Sequence, residues 1–260
     1  MASCLPGSFC PHNSEQSGAE NLLHSESIAV AGCALSRLKC ALPAMGMPMI
    51  YDITRRVSTT TAVFPGDTSY RADPLARIAD GASVNVVTLT TTPHVGTHAD
   101  AYFHYEPDGA CAADMPLEQY IGRARVVSVS KTDGALSPAD LPPLPERVER
   151  LLIRSFASDL DDSIFPAAFP YLSVELIAAV VARGGVLIGV DVPSVDHAES
   201  KELPCHHALY RHGIVNLENL LLRGVPDGDY ELIALPLKLD GACASPVRAI
   251  LRPLPEGSAS

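Results

Sequence analysis

At 260 residues, 47% of them hydrophobic, the chain can bury a substantial core and suits one large domain better than two small ones. Its 30 Asp and Glu against 19 Lys and Arg give a formal charge of −11, which argues against nucleic acid or an anionic membrane surface as a partner. The chain has no apolar run of roughly 18 residues, so no membrane-spanning helix is expected.

Residues 1–44 show no sustained periodicity and are rich in small and polar side chains. They hold only Glu15, Glu20 and Glu26 against Arg37 and Lys39, which leaves 17 bases and 27 acids in the rest of the chain, so the acidity belongs to the main body. The stretch Ser27-Ile28-Ala29-Val30-Ala31-Gly32-Cys33-Ala34-Leu35 has the apolar character of a signal-peptide core. It follows Glu20, His24 and Glu26 rather than positive charge, which argues against that reading. We expect a disordered or spurious extension over 1–44, a working start at Met45, Met47 or Met49, and one domain over 45–260. Cys4, Cys10, Cys33 and Cys40 fall in the extension and Cys111, Cys205 and Cys243 in the body, with no CxxC pair. Scattered thiols make no disulfide framework, so a reducing, cytoplasmic setting is expected. Cys205, beside His206, invites a thiolate–metal reading, but a buried cysteine acting as a small hydrophobe is the simpler one.

Order is expected to begin with a short strand at 49–53. The Thr- and Ser-rich stretch 57–70 contains Phe64-Pro65-Gly66-Asp67, a turn by its Pro-Gly chemistry. The β-branched run 84–90 predicts a strand feeding the histidine-rich segment that follows. That segment, His94 to His104, has Pro93 ahead of it and Pro107-Asp108-Gly109 behind, and so reads as a shaped loop at a strand end. Residues 115–120 predict one helical turn with Pro116 near its start. Strands are expected at 125–129 and 148–153, with a short helix at 137–141 between them. The clearest helix runs over 173–183, capped by Ser173 and ended by Gly184-Gly185. A buried strand at 186–191 follows, and 230–237 and 247–251 are further strands. Strands with a few intervening helices predict an α/β or α+β fold.

The chemistry concentrates in two places. In His94-Val95-Gly96-Thr97-His98-Ala99-Asp100-Ala101-Tyr102-Phe103-His104, imidazoles and a carboxylate crowd together as a divalent cation requires. Gly96 permits backbone angles that a Cβ would resist. Asp100 can offer one oxygen to each of two ions. The bland alternative is a set of surface histidines. About a hundred residues on, Cys205-His206-His207 and His212 are followed by Glu218, set in an apolar run with Leu217 and Leu220-Leu221-Leu222. Such a Glu is solvated, paired or bound to a cation, and this segment alone does not decide between an exposed residue and a ligand. A Gly-x-Ser-x-Gly nucleophile elbow and a Gly-rich phosphate loop are both missing.

The first cluster resembles the His-x-Gly-Thr-His-x-Asp-Ala-x-x-His signature of the cyclase-like metal-dependent amidohydrolases, and within that family the pattern is similar to the bacterial kynurenine formamidases. The likeness runs from Tyr51-Asp52-Ile53 through Pro65-Gly66-Asp67, the 190–196 stretch, Glu199-Ser200-Lys201 and His206-His207-Ala208. It continues through 229–237 to Ser245-Pro246-Val247-Arg248-Ala249, covering roughly residues 49–254. The resemblance implies an α/β fold, a single compact layered β/α/β domain with a mixed sheet, assembled as a homodimer. It implies two divalent ions, zinc or alternatively manganese. His94, His98 and Asp100 would hold one, and Asp100 would bridge to a second held by His206 and Glu218. Spacing to Glu218 favours His206 over His207 without excluding the latter. His104 would be the general acid/base, and the substrate a small aryl formamide, N-formyl-L-kynurenine, hydrolysed to L-kynurenine and formate. Two departures touch the substrate. Phe64 stands where the family has a stacking Trp, and Tyr102 where it has Pro; Tyr102 and Phe103 either shape the pocket wall or simply pack the loop. The rival readings are a related hydrolase that opens a cyclic amide such as isatin, and a metal-binding or ligand-sensing protein without catalysis.

Overall fold

The computed structural model describes residues 49–254, so the expectations for 1–44 lie outside the described residues. Four parallel strands form the centre: β5 (Ile121–Ser128), β7 (Arg150–Arg154), β9 (Leu187–Val190) and β10 (Val215–Glu218). On one side the sheet continues antiparallel through β11 (Gly228–Ile233), β13 (Ile250–Pro253) and β1 (Tyr51–Asp52). On the other it continues antiparallel through β4 (His98–Asp100) and β12 (Ala244–Pro246), giving nine strands in all. Two strand pairs stand apart: β2 (Arg71–Ala76) with β3 (Val86–Thr90), and β6 (Gly134–Leu136) with β8 (Pro170–Leu172). The result is a mixed-sheet α/β domain, as the resemblance implied.

Period-two alternation divides the apolar residues between two cores. Leu152 of β7 and Leu217 of β10 face one, with Ile53, Val126, Leu232 and Leu251. Leu151 and Ile153 of β7 face the other, where they meet Leu176, Ile177 and Val180 of α1 (Val174–Val181) and Ala208 and Leu209 of α2 (Pro204–Arg211). β7 and β9 are therefore buried on both faces, which is why Leu151-Leu152-Ile153 and Leu187-Ile188-Gly189-Val190 read as continuous apolar runs. Ser173 caps α1 by accepting the Leu176 N–H at 3.1 Å, and Gly184 after the helix has φ 79°.

Several segments differ from expectation. His98–Asp100 is a buried strand paired on both edges rather than loop, a fact hidden by its polar composition. Residues 204–211 fold as α2, although their mixture of charge and histidine shows no helical stripe beforehand. β2 is wholly or largely exposed and contains Pro74, so it carries no alternation to read. Among the described residues no helix is long and apolar enough to cross a membrane.

Candidate metal centre and active site

The pairing register of β4 and β10 builds the centre. Leu217 lies opposite Ala99 and Glu218 opposite His98. Since Leu217 and Ala99 face the first core, their neighbours His98, Asp100, Asn216 and Glu218 are sent to the other face, the side on which α2 packs. α2 then supplies His206 from its first turn.

Each imidazole is turned by its second nitrogen. His98 Nδ1 donates to the Gly96 carbonyl at 2.9 Å, which leaves Nε2 facing Asp100 Oδ1 at 3.3 Å and Glu218 Oε2 at 3.4 Å. Gly96 holds that carbonyl at φ 72°, and a Cβ there would meet Val57 Cγ2 at 2.6 Å. His206 Nδ1 donates to Asp196 Oδ2 at 2.7 Å, so its Nε2 faces Asp100 Oδ2 at 3.4 Å and Glu218 Oε1 at 3.6 Å. Asp196 also accepts the backbone N–H groups of Cys205 and His206, and thereby caps the helix that carries the ring it steers. His94 Nδ1 lies 3.1 Å from Asp100 Oδ1. Asn216 Nδ2 bridges the two carboxylates, donating to Asp100 Oδ2 at 2.7 Å and Glu218 Oε1 at 3.1 Å, and the Val195 N–H adds a donor to the latter.

Among the described residues the donor atoms fall into three sets, each within 4.8 Å: His94, His98 and Asp100; Asp100, His206 and Glu218; and, at the more exposed edge, His94, His104 and Cys243. Asp100 and Glu218 are 2% and 4% exposed, and their ion pairs among the described residues are with histidines alone. His98 Nε2 and Asp100 Oδ1 are buried without a hydrogen-bond partner. Two buried carboxylates with no Lys or Arg, beside an orphaned imidazole nitrogen and an orphaned carboxylate oxygen, are the donor set of a divalent cation. With protons alone the balance is costly. Burial disfavours a charge on His98, yet the Asp100 and Glu218 carboxylates override it and raise its pKa to about 10. His206 is likewise driven well up, its burial outweighed by Asp100, Asp196 and Glu218.

His104 sits on the 3-10 turn Tyr102–His104 with its ring 4.2 Å from that of His94 and 6.0 Å from that of His206. It is exposed to the cleft, and the surrounding protein lowers its pKa through desolvation, opposed by Asp100. A neutral imidazole there can accept a proton and return it. His207, by contrast, turns away: its Nδ1 meets Glu106 Oε1 at 2.7 Å. Cys243 was not singled out by the sequence, yet its Sγ lies 3.3 Å from His94 Nε2. Burial raises its thiol pKa, with Asp100 and Asp67 adding to the effect. Cys205 is buried, with its Sγ donating to the Leu172 carbonyl and its backbone N–H to Asp196, and it belongs to none of the donor sets.

The cluster opens on a cavity of about 290 Å³, near the lower end of small-molecule pockets. His94, His98, His104, His206 and Glu218 line it, and Phe64 and Phe165, edge to face at 5.5 Å, form an aromatic wall. Tyr102 is not part of that lining; it packs against Tyr210 at 5.1 Å and against Tyr105. Sequence reasoning missed Asp196 and Asn216. Asn216 carried a signal, since it stands two residues before Glu218 between Val215 and Leu217, the spacing that shares a strand face.

The family described as putative cyclase matches residues 51–197. A kynurenine formamidase from Bacillus cytotoxicus is 44% identical over 204 residues, spanning 78% of this chain and 97% of that protein. One from Paracidovorax citrulli is 44% identical over 212 residues, with 78% and 96% covered. Among solved structures, a potential metal-dependent hydrolase with cyclase activity superposes with TM-score 0.69 at 22% identity, covering 80% of this chain and all of that one. Isatin hydrolase A from Labrenzia aggregata, bound to benzyl benzoate, does so at 0.67 and 22%, with 79% and 93% covered.

Proposed function

The chain belongs to the putative cyclase family, and from that premise we propose that it is a metal-dependent hydrolase of N-formyl-L-kynurenine, producing L-kynurenine and formate. The observation that carries the reading is the buried Asp100–Glu218 pair, with His98 Nε2 and Asp100 Oδ1 left without a hydrogen bond, set at the floor of a cavity with an aromatic wall. His94, His98 and Asp100 would hold one divalent ion, and Asp100, His206 and Glu218 a second, with zinc the expected metal and manganese the alternative. Such ions lower the pKa of water and polarise a carbonyl oxygen.

The remaining steps fall to the chain's own groups. Phe64 stacks on the aryl ketone, offering less area than a Trp but the same π face. His104, its pKa lowered, takes the proton from the attacking water as the C–O bond forms. It returns that proton to the aryl nitrogen as the C–N bond breaks, without which the amine is a poor leaving group. The chemistry is assigned to residues 45–260 and none of it to residues 1–44. We further propose a cytoplasmic homodimer. Exposed Leu75, Val87 and Leu89 on the β2–β3 hairpin support the second copy, since apolar side chains gathered on one surface arm favour a protein partner.

The test is kynurenine release by purified protein with added Zn²⁺, with chelator, and with His104→Ala. The expected result is chelator-sensitive turnover that His104→Ala lowers about 10²- to 10⁴-fold in kcat while the bound metal is unchanged. A fully metallated protein that leaves the formamide intact, or that opens isatin instead, would displace this substrate.

A further inference from the structure

Besides the metal cluster, three carboxylates line the cavity: Asp67, Asp162 and Asp191. Two are already satisfied by the protein. Asp191 accepts the backbone N–H and the hydroxyl of both Ser155 and Ser158, at 2.7 to 3.0 Å. Asp162 is paired with the Arg55 guanidinium at 3.0 Å. Asp67 is different. It is half-buried, its side chain accepts the Thr92 hydroxyl at 3.2 Å, and no cation pairs with it among the described residues. A carboxylate left in a pocket wall without a positive partner is stabilised when a ligand brings one.

Its position is equally informative. Asp67 and Phe64 are the two ends of one turn, closed by the Asp67 N–H donating to the Phe64 carbonyl at 2.9 Å, with Gly66 at φ 101° between them. Thr92 lies two residues before His94, so the same carboxylate is tied to the segment that leads into the metal cluster. One short turn thus offers an aromatic face and an unneutralised carboxylate to the same cavity.

We propose that Asp67 is the specificity residue that binds the protonated α-amine of the substrate while Phe64 takes its aryl ring. This inference rests on the formamidase reading above and adds to it a preference: aryl formamides with a cationic amine on the side chain over those without.

The experiment compares N-formyl-L-kynurenine with its des-amino analogue, which keeps the formamide, ketone and carboxylate and replaces only the amine with hydrogen. Both are assayed with the metal-loaded wild type, Asp67→Asn and Asp67→Glu. For the wild type, a KM roughly 10- to 100-fold lower for the amine-bearing substrate is expected, the range of a charge-assisted hydrogen bond. Asp67→Asn should raise that KM towards the des-amino value and move the des-amino KM less than about twofold, while Asp67→Glu restores part of the preference. Equal treatment of the two substrates by the wild type would overturn the proposal and leave the formamidase reading standing. So would an equal loss on both in Asp67→Asn, the pattern of a residue that merely anchors Thr92. Turnover of neither substrate by the wild type would overturn the formamidase reading, and this inference with it.

Discussion

On the β4 side of the cluster, His98 hangs from a strand hydrogen-bonded along both edges, and its ring is aimed by a backbone carbonyl. On the α2 side, His206 rides on the first turn of an eight-residue helix, and its ring is aimed by a side chain, Asp196. A carbonyl acceptor is fixed by the fold and carries no net charge. A carboxylate acceptor makes the imidazole a stronger donor to a cation and helps hold the helix in place. One half of the centre is therefore set by backbone geometry, and the other rests on one replaceable residue. Asp100 and Glu218 span both halves, each with oxygens near His98 and near His206.

The largest effect should come from removing what the halves share. Asp100→Ala takes one oxygen from each of the two donor sets that contain it. It should lower kcat/KM more than about a thousandfold, since a Lewis-acid ion supplies several kcal/mol to such a reaction. Metal analysis of the purified variant should find both equivalents depleted. Full retention of one equivalent would mean that Asp100 belongs to a single ion.

Asp196→Asn should separate the halves. It keeps the shape and loses the charge beside His206 Nδ1, and it weakens the cap on α2. One of the two metal equivalents should bind about 10- to 100-fold more weakly, the usual cost of an altered supporting partner, while the other titrates as in the wild type. Isothermal titration of the metal-free protein would show it as two unequal steps. Equal weakening of both steps would show that the two halves are not independent.

How much of this was readable beforehand follows the same division. The gathering of His94, His98 and Asp100 was legible, because His and Asp clustered within a few residues of a Gly already suggest a shared site. Strands β7 and β9 were legible too, since Leu151-Leu152-Ile153 and residues 186–190 are continuous apolar runs, whereas β10, with Asn216 and Glu218 alternating with Val215 and Leu217, was not. The strand character of His98–Asp100 was not: in a three-residue strand whose alternate side chains are His and Asp, the polar face looks like loop. α2 was missed because its buried face is made of Cys205, His206, Ala208 and Leu209, too polar a stripe to stand out. The contact that joins Asp196 to His206 spans ten residues, from the loop after β9 to α2, and only the packed chain brings it about. The choice of His206 over His207 was open for the same reason, as adjacent helical residues point about 100° apart and spacing alone does not say which faces the sheet.

The smallest expected effect probes the backbone-held half, and it needs a substitution that moves a carbonyl rather than a side chain. Gly96→Ala does this. At φ 72° an alanine costs about 1–2 kcal/mol, and its Cβ would press on Val57 Cγ2 at 2.6 Å. Val57 is only half-buried and can swing aside, so the chain should fold with a melting temperature lowered by several degrees. The Gly96 carbonyl shifts with its own residue, and His98 Nδ1 must follow it or lose its acceptor. Metal affinity in the half that Asp196→Asn leaves intact should then fall by a smaller factor, about threefold to tenfold, because strand pairing on both edges still holds the His98 backbone. An unchanged affinity would show that pairing alone fixes His98 and that the carbonyl is incidental. A loss as large as that of Asp196→Asn would show that the backbone-held half is no more robust than the half that depends on a side chain.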